Sequence, residues 1–216
     1  MSLILHAHPL ASYCWKVLIA LYEKEVDFDF HQVDLGDPEA RAAFAALWPM
    51  AKMPVLEDRE RVAVVPETSI IIDYLDTHYP GAIRLIPEEA EAARDVRLWD
   101  RIFDNYVQTP MQKIVADRLR PQDRKDGLGV EEARASLATA LDMIEREVTG
   151  KRWVRGEAFT LADCAASPAL FYADKVMPLA GRWPETLALL ERLKGRPSFA
   201  RVLAEAEPWF KYFPAE

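Results

Sequence analysis

The 216-residue sequence contains only two cysteines, Cys14 and Cys164, and they lie far apart. Two separated cysteines form neither a disulfide framework nor a metal cluster, and this sparing use fits a reducing cytosol. The chain has no apolar run near the roughly 18 consecutive residues that a membrane-spanning helix needs. Its apolar start is broken by His6, His8 and Pro9, which argues against a signal peptide. These features predict a cytoplasmic protein that uses no metal.

An excess of basic charge is also absent. The formal net charge is −8, which argues against nucleic acid or an anionic membrane as the main partner. Half of the residues are hydrophobic and 10% are aromatic. A composition of this kind supports a sizeable core and argues against disorder.

The hydrophobic pattern alternates between strand and helix periods over residues 1–81. A helical spacing of apolar residues begins at Ser12, and Asp37 followed by Pro38 is typical of a helix start. The predicted elements are a strand at 3–7, a helix at 12–24, a strand at 28–33, a helix at 37–47, a hairpin at 54–57 and 62–65, and a helix at 67–78. This order predicts an α/β domain.

After residue 81 the pattern is helical throughout, which predicts an all-helical domain over residues 88–216. We expect a helix over 88–118 with a kink at Pro110, and another over 130–148. Thr160 and Asp163 have the spacing of a capping box. Further helices are predicted to start at Pro184 and Pro197.

The start of the first helix is a candidate site for a thiolate. A helix N-terminus carries unpaired N–H groups and about half a positive charge, which stabilise an anion and lower a thiol pKa. Ser12 offers a hydroxyl donor there, and Cys14 follows within the first turn. The alternative is that Ser12 only caps the helix.

A second candidate segment contains Met53 and Pro54, where a strand begins with proline. A cis bond there turns the Met53 backbone outward, although the sequence leaves the isomer open. An exposed backbone edge is a natural partner for a peptide ligand that lies against it like an added strand.

A third candidate segment, Glu67 and Thr68, opens a helix. Backbone amides and a hydroxyl at this position bind a carboxylate, and the Glu67 carboxylate pairs with an ammonium. An α-amino acid head group carries both charges. Ordinary helix capping is the alternative.

In this order the three segments resemble the cytosolic glutathione transferases, and the resemblance covers nearly the whole chain. The stretch from Ala51 to Leu56 is similar to the family's Gly-Lys-Val-Pro-Val-Leu segment, and Glu67-Thr68 to its Glu-Ser pair. The later Tyr74-Leu75 and Tyr79-Pro80 pairs also match. The resemblance, nearest to bacterial serine- and cysteine-type members, implies a thioredoxin-like N-terminal domain followed by an all-helical C-terminal domain.

The resemblance also implies ligands and partners. Glutathione would be the co-substrate, bound by the backbone of Met53 across a cis Pro54. Glu67 and Thr68 would hold its γ-glutamyl head, and Lys52 would reach one of its carboxylates. The family forms homodimers and conjugates small electrophiles in detoxification.

One departure concerns the residue that activates the thiol. The position that carries this residue in many members is Ala11 here, which has neither hydroxyl nor thiol. Subclasses whose helix begins Ser-Ser-Cys-Ser-Trp-Arg-Val look closest, and their second serine matches Ser12. We therefore assign thiolate stabilisation to Ser12, with Tyr13 and Cys14 as alternatives.

The electrophile pocket is expected on the helix around residue 101. Arg101, Asn105 and Tyr106 share neighbouring faces of that helix and are our candidate substrate-binding residues. Three other functions stay open: glutathione-dependent isomerisation of a maleyl keto acid, non-catalytic binding, and thiol exchange through Cys14.

Overall fold

The structure is a computed structural model that describes residues 2–81 and 83–214. The outer limits of the two predicted domains, Met1 and Glu216, lie outside the described residues. A four-stranded sheet with helices on both faces comes first, and a wholly helical part follows it. The order of strands and helices agrees with the one predicted from the sequence.

The sheet has the strand order β2-β1-β3-β4. Strand β2 runs parallel to β1, whereas β3 is antiparallel to both β1 and β4. A parallel pair needs a crossover, which a helix provides here, and the antiparallel β3–β4 pair needs only a tight turn. The strands are β1 (Leu3–Ala7), β2 (Asp29–Gln32), β3 (Val55–Asp58) and β4 (Ala63–Pro66).

Three helices cover the sheet. Helices α1 (Ser12–Glu23) and α3 (Thr68–His78) share one core with Leu3 and Leu5 of β1. Helix α2 (Pro38–Leu47) packs on the opposite face, where Phe44 meets Val55. The two faces arise because successive side chains of a strand point in opposite directions.

The helical part consists of α4 to α9 and three short irregular helices. None of the helices in the described ranges combines the length and the apolar character needed to cross a membrane. The bounds are α4 (Ala90–Ile102), a π-helix (Phe103–Gln108), α5 (Thr109–Arg118), a 3-10 helix (Gln122–Arg124), α6 (Gly127–Val148), α7 (Leu161–Val176), α8 (Pro184–Lys194), α9 (Pro197–Ala206) and a 3-10 helix (Glu207–Tyr212).

Local sequence signals explain several helix boundaries. Asp37 accepts a hydrogen bond from the Ala40 amide at 2.9 Å, and Thr160 with Asp163 forms the predicted capping box. The helix predicted over 88–118 is not a single helix with a kink at Pro110. The chain passes through the π-helix before Pro110, which then sits in the first turn of α5, where a missing N–H costs no hydrogen bond.

Helix α1 joins the two parts of the molecule. Trp15 is fully buried, and its ring lies 4.9 Å from that of Tyr172 on α7. Its indole N–H also donates to the Pro9 carbonyl at 2.5 Å. This packing fixes the N-terminus of α1 at the junction between the sheet and the helices.

Candidate active site

The three candidate segments meet at one end of the sheet. His6 of β1 pairs with Val55 of β3, and Val55 pairs with Pro66 of β4. The chain enters α1 shortly after β1 ends, reaches β3 directly after residues 52–54, and enters α3 directly after β4 ends. Strand register therefore brings together segments that are widely separated in sequence.

Met53 presents its backbone at this end. The Met53-Pro54 bond is cis, the isomer implied by the family resemblance. The Met53 amide and carbonyl make no hydrogen bond to any residue in the ranges 2–81 and 83–214. Next to it, Lys52 is exposed, and its ammonium has no ion-pair partner within the same ranges. The segment thus offers a backbone donor, a backbone acceptor and a cation to a ligand.

Glu67 and Thr68 form the start of α3. Glu67 has a φ of 68°, in the left-handed region that side chains disfavour, and its side chain makes no capping bond. Thr68 is the first helical residue and is 7% exposed. The first N–H groups of a helix lack intrahelical partners, so this turn has amides available for a carboxylate.

Ser12 lies at the start of α1, where the local geometry removes the simple capping role. The N-cap is Ala11, and Ser12 is the first residue inside the helix. Its hydroxyl has no hydrogen-bond partner among the described residues, although the residue is only 6% exposed. A donor at a helix N-terminus with no bond of its own is suited to hold an anion.

Tyr13 and Cys14 are less suited to this task. Burial, followed by the Asp104 charge, raises the pKa of Tyr13 to about 12, and its hydroxyl donates to the Asp104 carbonyl at 3.4 Å. Burial raises the pKa of the fully buried Cys14 thiol to about 12 as well. A thiol in that state is neither a thiolate nor accessible, which argues against Cys14 as a catalytic residue.

A cavity of about 600 Å³ adjoins Ser12. On the sheet side it is lined by residues of the first and second candidate segments, and on the helical side mostly by apolar side chains. Tyr172 is also held here, since its hydroxyl donates to the Leu10 carbonyl at 2.8 Å. The lining comprises Leu10, Ala11, Ser12, Tyr13, Leu35, Ala51, Lys52, Met53, Met111, Gln112, Val115, Ala116, Leu119, Tyr172, Tyr212, Phe213 and Pro214.

The three predicted substrate residues do not line this cavity. Arg101 is half-exposed and lies 3.2 Å from the Asp104 carboxylate and 3.4 Å from the Asn105 amide oxygen. Asn105 and Tyr106 instead border a separate depression between α5 and α6. The predicted placement requires one continuous α-helix, but the π-helix changes the helical register before α5. The wall therefore comes from α5, α7 and the C-terminal segment.

A buried ion-pair network beneath α3 was not anticipated from the sequence. The Lys16 ammonium lies 2.9 Å from the Asp104 carboxylate and also contacts Asp100. Ser69 donates to Asp100 at 2.6 Å. Burial raises the pKa of Asp104, although the Lys16 charge opposes this. The network connects α1, α3 and α4. In the sequence, the one feature that indicates it is Lys16, a charged residue on an otherwise apolar helix face.

Comparison with known proteins identifies this arrangement. A model described as the glutathione S-transferase N-terminal domain matches residues 5–82, and one for the C-terminal domain matches residues 128–205. Together the matches cover more than half of the chain. The chain belongs to the glutathione S-transferase family. The family and fold class predicted from the sequence are therefore confirmed.

Several known proteins are similar to the chain over nearly their full length. The chain is 30% identical to glutathione S-transferase 3 of Zea mays, over 93% of this chain and 92% of the relative. It is also 30% identical to FtsZ-localized protein A of Caulobacter vibrioides, over 94% and 92%. A glutathione S-transferase of Methylobacillus flagellatus, solved with glutathione bound, has 26% identity and a TM-score of 0.86, covering 93% and 98%.

Proposed function

We propose that this protein is a cytoplasmic glutathione transferase that conjugates glutathione to small electrophiles, as in detoxification. The observation that carries the proposal is the Ser12 hydroxyl, which has no partner within residues 2–81 and 83–214 and lines a cavity at the N-terminus of α1. Residues 1–81 would form the glutathione-binding domain. Residues 88–216 would form the helical domain that holds the electrophile. The family membership and the glutathione-bound relative support this reading.

Glutathione would bind to three groups of residues. The Met53 amide and carbonyl, free within the described ranges, would pair with its cysteinyl backbone as an added strand does. Glu67 and the first amides of α3 would hold the ammonium and carboxylate of the γ-glutamyl head. Lys52 would neutralise a glutathione carboxylate. These contacts direct the thiol toward Ser12.

Catalysis would then proceed by thiolate attack. The thiol proton leaves to solvent, and the Ser12 hydroxyl donates a hydrogen bond to the sulfur anion. The positive end of the α1 dipole also favours that anion. The sulfur electron pair forms a bond to the electrophilic carbon, and the displaced electrons leave with the departing group. No charge on the protein itself has to change.

The cavity wall supports an apolar electrophile. Met111 and Val115 of α5 line the space beside Ser12, together with Leu119 at the end of that helix and Phe213. Within the described lining Lys52 is the only cation, and the proposal assigns it to glutathione. A maleyl keto acid carries carboxylates of its own, so this wall supports isomerisation less well. Turnover of maleylacetoacetate by the purified protein distinguishes the two reactions.

The test is the rate of conjugation with 1-chloro-2,4-dinitrobenzene. Removing a hydrogen-bond donor to a developing anion costs about 100-fold in rate, so we expect Ser12→Ala to lower kcat/KM by about that factor. Cys14→Ala is the matched comparison, because it changes a buried neighbour that the mechanism does not use. The Ser12 assignment is rejected if Ser12→Ala keeps the wild-type rate, whether or not Cys14→Ala does.

A second candidate function is non-catalytic binding to another protein. Ala11 stands where many members carry the activating residue, and one relative is named for its localisation with FtsZ rather than for a reaction. Calorimetric titration with glutathione and a turnover assay separate the candidates. Micromolar to millimolar binding together with turnover supports the enzyme, whereas the absence of both supports a binding protein.

We further propose that the protein is a homodimer. Several large apolar side chains of β4, α3, α4 and the β3–β4 turn are exposed, and an interface with a second copy would bury them. The exposed fractions are 92% for Val62, 44% for Val64, 57% for Ile70 and 55% for Leu98. Sedimentation equilibrium measures the oligomeric state directly.

A further inference from the structure

A second cavity, of about 650 Å³, lies between α1, the start of β2 and α9. It shares no lining residue with the cavity beside Ser12. Its volume lies within the range of about 300 to 1,000 Å³ that is usual for small-molecule sites. Its lining comprises Pro9, Trp15, Leu18, Leu21, Tyr22, Glu25, Val26, Asp27, Phe28, Phe30, Arg201, Val202, Glu205 and Ala206.

Four of the fourteen residues that line this second cavity are aromatic. The rings of Tyr22 and Phe28 lie 5.8 Å apart, and Trp15 is buried behind them. Phe30 is 41% exposed on β2, which is an edge strand of the sheet. Phe28 and Phe30 offer stacking surfaces to a flat aromatic molecule, since offset and edge contacts between rings are favourable.

The charges around the second cavity are mostly negative. Glu25 and Asp27 are exposed, and their carboxylates make no ion pair or hydrogen bond with the described residues. Among the described residues of the lining Arg201 is the one cation, and it already has partners. Its guanidinium stacks 3.9 Å from the Tyr22 ring centroid and bonds Glu205 at 2.9 Å. The free charges at the mouth are therefore carboxylates.

We propose that the second cavity binds a flat aromatic organic cation. The rings of Phe28 and Phe30 accept its aromatic body and attract its positive charge, and the two carboxylates without a partner among the described residues add Coulomb attraction. The same carboxylates repel an anion of identical shape. The inference uses none of the residues assigned to glutathione, so it stands or falls separately from the transferase proposal.

The test uses two dyes that share a xanthene skeleton, cationic rhodamine 6G and anionic fluorescein, with binding measured by fluorescence anisotropy. We expect saturable binding of rhodamine 6G only. The double variant Glu25→Gln/Asp27→Asn should weaken it about fivefold, the magnitude expected for losing two exposed charge contacts. Phe30→Ala should also weaken it about fivefold through lost stacking.

The matched control is the double variant Asp123→Asn/Glu131→Gln. It changes net charge equally at exposed carboxylates outside the cavity lining, and it should leave rhodamine binding unchanged. Competition with S-hexylglutathione locates the dye, because a ligand of the second cavity is not displaced. Displacement, equal binding of fluorescein, or equal weakening by the control pair each overturns the proposal.

Discussion

The two ends of the four-stranded sheet differ in how completely their polar groups are hydrogen-bonded. At the end formed by Leu3, Asp58 and Ala63, the Asp58 carboxylate is fully buried and accepts hydrogen bonds from the Tyr74 and Tyr79 hydroxyls at 2.8 and 2.5 Å. The Arg61 amide and guanidinium donate to it as well. At this end the buried carboxylate is therefore paired with hydrogen-bond donors of the protein itself.

At the opposite end, several polar groups have no partner among the described residues. The Ser12 hydroxyl and the Met53 amide and carbonyl are unpaired within the described ranges, and so is the Lys52 ammonium. Buried polar groups are normally satisfied, because an unmade bond costs about 1 to 3 kcal/mol. Paired groups at one end therefore serve the fold, and unpaired groups at the other end are available to a ligand.

The largest effect on stability is expected from Asp58→Ala. It leaves two tyrosine hydroxyls and the Arg61 donors without their acceptor, and breaking a buried network of this kind costs about 3 kcal/mol or more of unfolding free energy. Urea denaturation measures the loss. Glu60→Ala, an exposed neighbour in the same turn, should cost less than about 0.5 kcal/mol. Similar losses of unfolding free energy for the two variants would show that the paired groups around Asp58 do not stabilise the fold.

The same carboxylate predicts a dependence of stability on pH. Burial opposes ionisation of Asp58, but hydrogen bonds from Tyr79, Arg61 and Tyr74 outweigh it and lower its pKa to about 2. The folded-state pKa lies below the unfolded value of about 3.9, so this stabilisation is present above pH 4 and is lost as pH falls toward 2. The contribution is about 2 kcal/mol.

Comparing wild type with Asp58→Asn isolates this contribution. The difference in unfolding free energy between the two proteins should shrink as pH falls from 5 to 2, because the wild-type carboxyl becomes neutral there. Urea denaturation at several pH values gives the difference directly. A gap that stays constant over this range would show that ionised Asp58 adds nothing to the fold.

The sheet side of the candidate site was open to prediction because its segments carry local signals. A proline before a strand and a hydroxyl residue at a helix start are readable from a few residues, as Met53-Pro54 and Thr68 show. The fold supplied what spacing leaves open, namely the cis isomer and the position of Ser12 inside the helix rather than at its cap.

The helical wall of the cavity was not open to prediction in the same way. The prediction that Arg101 and Asn105 line the cavity requires a regular α-helix. The chain instead forms a π-helix at Phe103–Gln108, and the α5 segment after it lines the cavity. Tyr212 and Phe213 reach the cavity only through tertiary folding of the C-terminal segment. Buried Lys16 likewise depends on acidic partners about 84 to 88 residues away in sequence.

The smallest effect concerns Lys52, the exposed cation at the unpaired end. An exposed charge contact contributes at most about 1 kcal/mol, so Lys52→Ala should raise the KM for glutathione up to about fivefold with kcat unchanged. The increase should shrink with added salt, since exposed charges are screened. Lys194→Ala is the control, because it removes a partly exposed lysine of α8 that pairs with Glu191 and does not line the cavity beside Ser12. If both variants raise the KM for glutathione equally, the effect reflects net charge, and Lys52 has no specific contact with glutathione.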